Sequence, residues 1–454
     1  MPRLPRWLLP ALLVLAVVPT IPAAAAEPAH QDTWPAPTFT VQTPDPSVAA
    51  RSDRRPVGGG LYDPVAHRTF ISWGGQAEDN YVQSYDHDTG VWDAPVKVGD
   101  GGGDSHNYPT MVQAADGHLL VFRGMHNVQL VLARSPEPHS AAGTWTERVI
   151  STDAATYPMP FKTADGSIFV FFRETLGDLD PTVPTDTRPM QYVVSRDNGQ
   201  TWQTSKELTG RPFVIGSTGR ADNMNEIYIG QLRYEPGLFG FGERVRIVYT
   251  LAGGGAEGHK HDRYHRNLYY ASFDPRTLRF SSAAGRDVGT QIDDAIQEDQ
   301  LKVADTPLTL PGGVKSPDYI QLVGAPITGQ PFLLWFTGDD SGPVHNYLST
   351  WTGFGWQTRE VARGLRTKEM EPVDPLTWRV YASVDGQPNV RTFLVRLGRT
   401  WSAEAVLPTA KPVQRIELIS GFRDPVRVLI TGASSDRDVS VADGDISVAG
   451  LSRR

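Results

Sequence analysis

The sequence predicts an all-β chain folded as a seven-bladed β-propeller, a single domain spanning residues 51–454. Three observations lead there. Short strand-like runs alternate with turn dipeptides along most of the chain, and helical periodicity is nearly absent. The counts of Gly 44 and Pro 36 suit a chain of many turns. A hairpin-sized segment recurs at an offset of 49 residues, and a period near fifty in an all-β chain points to four-stranded blades.

Taken in order, the chain opens "MPRLPRWLLPALLVLAVVPTIPAAAAEPAH". Arg3 and Arg6 make a basic start, an apolar run follows to Val18, and small residues continue to Ala26. This is the layout of a secretory signal peptide over residues 1–26, so the mature protein is expected to be secreted and extracellular. The apolar run is short for a membrane span and is interrupted by Pro10 and Pro19. Residues 27–50, rich in Pro and Ala, read as an extended N-terminal lead-in.

After the lead-in come "RTFISWGG", "HLLVFRG", "SIFVFFRE", "QYVVSRD", "RVRIVYTLA", "NLYYASFD", "PFLLWFTG", "NYLSTWTG" and "RTFLVRLG", each a predicted strand. Asp-Gly, Asn-Gly and Gly-Gly turns separate them. The best helix candidate, around Gln291 to Val303, is short and acidic. "NYPTMVQAADGHLLVF" from Asn107 recurs as "TYPMPFKTADGSIFVF" from Thr156, with Asp-Gly placed identically after Tyr-Pro. One blade cannot bury its own faces, so blades stack around an axis. At roughly 50–60 residues each, the chain holds about seven. "SRDNGQTW", Ser195 to Trp202, fits the Asp-box pattern S-x-D-x-G-x-T-W in full, and "SYDHDTGVW", Ser84 to Trp92, is a looser version. The Asp carboxylate is expected to accept backbone N–H groups and pin the turn, with the Trp packing between blades.

Composition narrows the chemistry. There is no Cys, which removes thiol nucleophiles and thiolate metal sites. The net charge of -8 argues against nucleic acid as a partner, while leaving room for a local basic cleft. No membrane partner is expected after signal cleavage, and the protein is expected to be a monomer.

Two His-Asn pairs flank one predicted hairpin, His106-Asn107 and His126-Asn127, in "SHNYPTMVQAADGHLLVFRGMHN". A hairpin brings its outer ends together, so the two imidazoles are either surface decoration or two halves of one site. Asn107 and Asn127 suit turn capping or a sugar hydroxyl. Tyr157, in the second copy of the motif, stands on the same rim, or packs beneath Pro158. Arg173 closes the apolar strand "SIFVFFRE"; it either pairs with Glu174 or offers its planar fork to a carboxylate. "GHKHDRYHR" carries His259, His261 and His265, which read as a substrate-facing loop, a solvated loop or a metal site.

Together "HNYP…ADGHLLVFRGMHN", "TYP…ADGSIFVFFRE", "YVVSRDNGQTW" and "NEIYIGQLRY…RIVYT" resemble the BNR-repeat (Asp-box) propeller family that includes ulvan lyases and rhamnosyl-glucuronate lyases. The likeness runs from about Ser84 to Tyr270 and fades beyond residue 300. It implies a polysaccharide lyase that opens a glucuronate linkage by β-elimination, with an acidic polysaccharide or oligosaccharide as partner. On this resemblance His106 and His126 match the paired catalytic histidines, Tyr228 the catalytic tyrosine (or Tyr234, one register away) and Tyr157 a site tyrosine. Arg173, Arg220, Asn107, Asn127 and His261 are the remaining substrate-binding candidates. A phenol needs a nearby cation to act as base, and Arg220, Arg233 and His126 are candidates. No cofactor is required for such chemistry; a structural metal at the histidine-rich loop is compatible with it. A sialidase-like glycoside hydrolase and a non-catalytic sugar-binding propeller are the alternatives, since a fold alone does not fix a function.

Overall fold

The structure, a computed structural model, describes residues 37–48, 59–75, 79–101, 106–123, 126–176, 186–237, 242–255, 258, 261–307, 317, 321–338, 343–432 and 444–452. The expected signal peptide, residues 27–36 of the lead-in and His259 lie outside these. Each of the nine predicted runs forms a strand, from Arg68–Gly74 to Asn389–Arg396. The fold is all-β, a succession of antiparallel meanders. Helix is confined to Ser205–Thr209, closed by a Thr204–Glu207 capping box, and to a turn at Asp294–Ile296 running into Gln297–Leu301, inside the expected helical stretch.

The repeat in sequence is a repeat in structure. Thr110–Gln113 pairs with Leu119–Phe122, and the end of Thr146–Lys162 pairs with Ile168–Glu174. The turns between them place Gly117 and Gly166 at φ 88 and 87, where a Cβ would be strained. Thr146–Lys162 serves two neighbours: Thr146 to Ser151 pair with Val128–Arg134, and Ala155 to Lys162 with Ile168–Glu174. It carries the chain from the outer edge of one meander to the start of the next.

The lead-in is more than a tether. Phe39–Val48 is a strand that pairs with Gly444–Leu451, so the β-fold begins well before residue 51. Phe39 and Val41 pack against the core around Val428 and Ile430, which is why this Pro-rich stretch is ordered. The looser Asp box meets it: Trp92 donates Nε1–H to Gln42 at 3.1 Å.

The full Asp box behaves as its chemistry requires. Asp197 accepts from the Thr201 backbone at 2.8 Å, from the Thr201 hydroxyl at 2.5 Å and from Ser195 Oγ at 2.8 Å. Desolvation opposes ionisation, but these donors outweigh it and hold the carboxyl down at about 2. Trp202 then reaches the neighbouring meander, edge-on to Phe122 at 5.8 Å between centroids. Adjacent meanders stack through aromatic faces elsewhere too; Phe273 lies 5.4 Å from Phe171 and 5.6 Å from Tyr192.

Candidate active site

The hairpin argument places two imidazoles near each other, and in the structure they touch. His106 and His126 stack with centroids 3.8 Å apart and planes 21° from parallel. Both are partly exposed. Tyr157 is next, 5.8 Å from His106. Its position depends on a bulge: pairing with Ile168–Glu174 shifts register between Thr156 and Met159, and Tyr157 adopts φ 60. A bulge re-aims a side chain, and positive φ in a bulky residue just before proline is strained. Thr156 holds it in place, accepting the Asn127 N–H at 3.0 Å and donating to Asn127 Oδ1 at 3.2 Å.

Beneath Tyr157 lies Arg173, 1% exposed. Its guanidinium carbon sits 4.7 Å from the Tyr157 ring centre and 4.6 Å from that of Tyr228. Strand alternation settles its partner. Glu174 faces the other way and accepts from Lys206 at 2.7 Å and Gln191 at 2.8 Å. None of the three guanidinium nitrogens reaches an acceptor with good hydrogen-bond geometry among the described residues. Burial works against its charge, while Tyr228, Tyr157 and Glu226 favour it.

Tyr228 is 3% exposed, on Glu226–Glu235. Burial pushes its phenol well above the ordinary tyrosine value, and the Arg173 charge offsets this only in part. On its far side, His265 comes to 5.2 Å between ring centroids. The cleft therefore runs from open imidazoles, past Tyr157, to a buried guanidinium and a protonated phenol.

Other candidates sit differently. Arg220 is engaged with Asp222 at 2.8 Å and with Glu298, so its fork is already filled. Arg233 donates to Val323 O at 2.9 Å and Met370 O at 2.7 Å, and its guanidinium covers Trp378 rather than Tyr228. The cation beside Tyr228 is Arg173. Tyr234, six positions along the strand and so ~20 Å away, donates to Glu243 at 2.6 Å. The Asn107 amide donates to Gly101 O, and Asn127 Oδ1 accepts from Thr156, Thr175 and Arg188, so both amides hold backbone and neighbours. His261 Nδ1 lies 2.7 Å from Glu226 Oε2, a fully buried carboxylate. Among the described residues no three His, Asp or Glu side chains are grouped to hold a metal ion. Sequence reasoning missed Glu226 and the place of His265. Spacing of Glu226 and Tyr228 by two on one strand was a usable signal for the first.

Comparison with known proteins agrees with this arrangement. A family profile described as BNR repeat-containing family member matches residues 68–364. The Ulvan Lyase-PL25 of Pseudoalteromonas sp. (strain PLSV) is 25% identical over 314 residues, 61% of this chain and 58% of its own length. The Ulvan lyase of Alteromonas sp. (strain LOR) is 23% identical over 266 residues, 51% of this chain and 50% of its own. The match thus spans between half and three-fifths of each relative. Among solved structures, a PL25 ulvan lyase bound to GlcA(1-4)Rha3S superposes with a TM-score of 0.69 at 18% identity, covering 89% of this chain and 94% of that one. A polysaccharide lyase at 12% identity superposes at 0.59, covering 88% and 90%. At these identities the likeness is one of fold.

Proposed function

The chain belongs to the BNR repeat-containing family, and from that premise we propose that it is a secreted polysaccharide lyase acting on a glucuronate-containing polysaccharide of the ulvan type. The observation that carries the reading is Arg173: a buried guanidinium without a protein acceptor, at the end of a cleft lined by two imidazoles and two phenols. Such a group is a receptor for a carboxylate.

In β-elimination the C5 proton of the uronate leaves, the C4–O bond breaks, and a C4–C5 double bond forms. Arg173 neutralises the carboxylate and so stabilises the charge that develops as C5 loses its proton. One of the stacked imidazoles takes that proton. Tyr228, kept protonated by burial, gives its own proton to the leaving O4. Tyr157 packs on the guanidinium and shapes the wall. No residue role here needs a cofactor, and the partner is the acidic saccharide.

A seven-bladed propeller is part of the same reading. Two features support the count. The largest sheet joins its halves through a single parallel contact, Leu61 with Ser420, and the 7-stranded sheet divides naturally within Thr146–Lys162. Phe39–Val48 would then complete the last blade by pairing with Gly444–Leu451.

The test is incubation of the purified protein with ulvan and with a rhamnose-capped arabinogalactan, followed at the ultraviolet band of the 4,5-unsaturated uronate. Wild type should generate that absorbance, and His126→Ala should lower the rate by about 10²–10⁴-fold with an unchanged circular dichroism spectrum. Saturated reducing ends in place of the unsaturated product would instead identify a hydrolase. Saccharide binding without any product would leave only a binding propeller.

A further inference from the structure

We propose that His265 is a positioning residue for Tyr228, an assignment that rests on the reading of Tyr228 as the acid. The argument begins with strand register. Glu226 pairs with Ala252, Ala252 pairs with His265, and Tyr228 pairs with Thr250. Residues in one row of a sheet project from the same face, as do residues two apart on a strand. Tyr228 and His265 are therefore on one face, two strands apart, with backbones separated by about 10 Å. Their rings still close to 5.2 Å. The intervening Ala252, fully buried, offers only a methyl group over which they meet.

The His265 ring cannot rotate away. Its Nδ1 lies 3.0 Å from Pro317 O and its Nε2 lies 2.7 Å from Asp262 Oδ1. A carbonyl only accepts, so Nδ1 carries a hydrogen and the ring is held at both ends. Asp262 is itself docked: its backbone N–H donates to Glu226 Oε1 at 2.9 Å, while His261 holds Oε2 at 2.7 Å. Arg188 extends the framework, with Nε 3.7 Å from Glu226 and Nη1 donating to Asn127 Oδ1 at 3.2 Å. A continuous run of contacts thus links the residue beside His126 to the ring beside Tyr228. The His265 side chain has no exposed surface, so it acts through Tyr228 and not on the saccharide. The histidine-rich loop is, on this view, a latch that fixes the acid relative to the imidazoles.

The experiment uses the full chain and three variants: His265→Phe, Asp262→Asn and Ala252→Val. The second removes the carboxylate grip, and the third wedges the rings apart without touching a hydrogen bond, so a failure of the first to fold leaves the idea testable. Displacement of a catalytic group by about 1 Å can cost ~10²-fold. Each folded variant should lose about 10–100-fold in kcat with KM within about twofold. The Tyr228 ring resonance in ¹³C-tyrosine NMR, identified by its loss in Tyr228→Phe, should shift and broaden. Wild-type kcat in folded Ala252→Val and Asp262→Asn, with that resonance unmoved, overturns the proposal. So does an activity loss that merely tracks the unfolded fraction. If the wild type makes no unsaturated product, the lyase reading fails, and the resonance alone still decides whether His265 positions Tyr228.

Discussion

Arg173→Met separates a ligand-binding cation from a structural one. In the fold, Arg173 is 1% exposed and its nitrogens lack well-aligned acceptors among the described residues. An uncompensated buried charge costs several kcal/mol. The two ring contacts, at 4.7 and 4.6 Å, offset roughly 0.5–2 kcal/mol each. Methionine fills similar space without charge, so stability should stay level or rise by about 1–2 kcal/mol. Catalysis should move the other way. A guanidinium fork gives a carboxylate two charge-assisted hydrogen bonds, about 1.5–3 kcal/mol each. Losing both is a fall of about 10²–10⁴ in kcat/KM, at roughly 1.4 kcal/mol per tenfold. Arg173→Lys, which keeps the charge and one bond, should fall about 10–10²-fold. The assays are thermal unfolding and the rate of unsaturated-uronate formation. If Arg173→Met is destabilised by more than about 2 kcal/mol, or keeps its activity within tenfold, Arg173 is a structural arginine and the carboxylate receptor lies elsewhere.

Three further outcomes are expected. Tyr228→Phe keeps the packed ring and loses the proton, so kcat should drop about 10²–10⁴-fold while stability changes by about 1 kcal/mol; near-normal turnover would remove Tyr228 from the acid role. Asp197→Ala should destabilise by about 1 kcal/mol, a modest figure because the carboxylate is exposed to solvent screening. Since Asp197 sits at about 2 in the fold, below the ordinary ~3.9 of an unfolded chain, its contribution is complete above that value and fades as pH falls through about 2; acid unfolding of wild type and variant should converge there. Glu371 is fully buried and accepts from Arg379 at 2.6 Å, Tyr381 at 2.8 Å and Arg427 at 2.8 Å. Glu371→Ala leaves two buried guanidinium groups short of a counter-charge and should cost about 3–5 kcal/mol; a change under 1 kcal/mol in denaturant titration would contradict this.

What could be read from the chain was what local chemistry decides. Strands followed from alternation, turns from Asp-Gly, and the convergence of His106 and His126 from a hairpin's geometry. The choice of partner for Arg173 was also legible, since adjacent residues on a strand face opposite ways and Glu174 was never available. Arg220 was not: its partners include Glu298, 78 positions away and brought close only by the tertiary fold. Phe39–Val48 was hidden for the same reason, its pairing strand lying at the other end of the chain.

The two copies of the repeat show where the rest of the information sits. Both carry Tyr-Pro before a strand, and by pattern Tyr108 and Tyr157 are equivalent. Both are buried, with rings 6.4 Å apart. Among the described residues Tyr157 has positive φ and Tyr108 does not. That one dihedral, a strain of about 1–3 kcal/mol, turns Tyr157 onto Arg173. It persists because Thr156 is clasped by Asn127 from the preceding hairpin, at 3.0 and 3.2 Å. Asn127 itself takes φ 56, which asparagine tolerates better than most residues. The second Asn of the His-Asn pairs is therefore neither decoration nor sugar ligand; it converts a repeated hairpin into an asymmetric cleft. A sequence repeat predicts symmetry, and the site forms where a side chain from one copy breaks the backbone symmetry of the other.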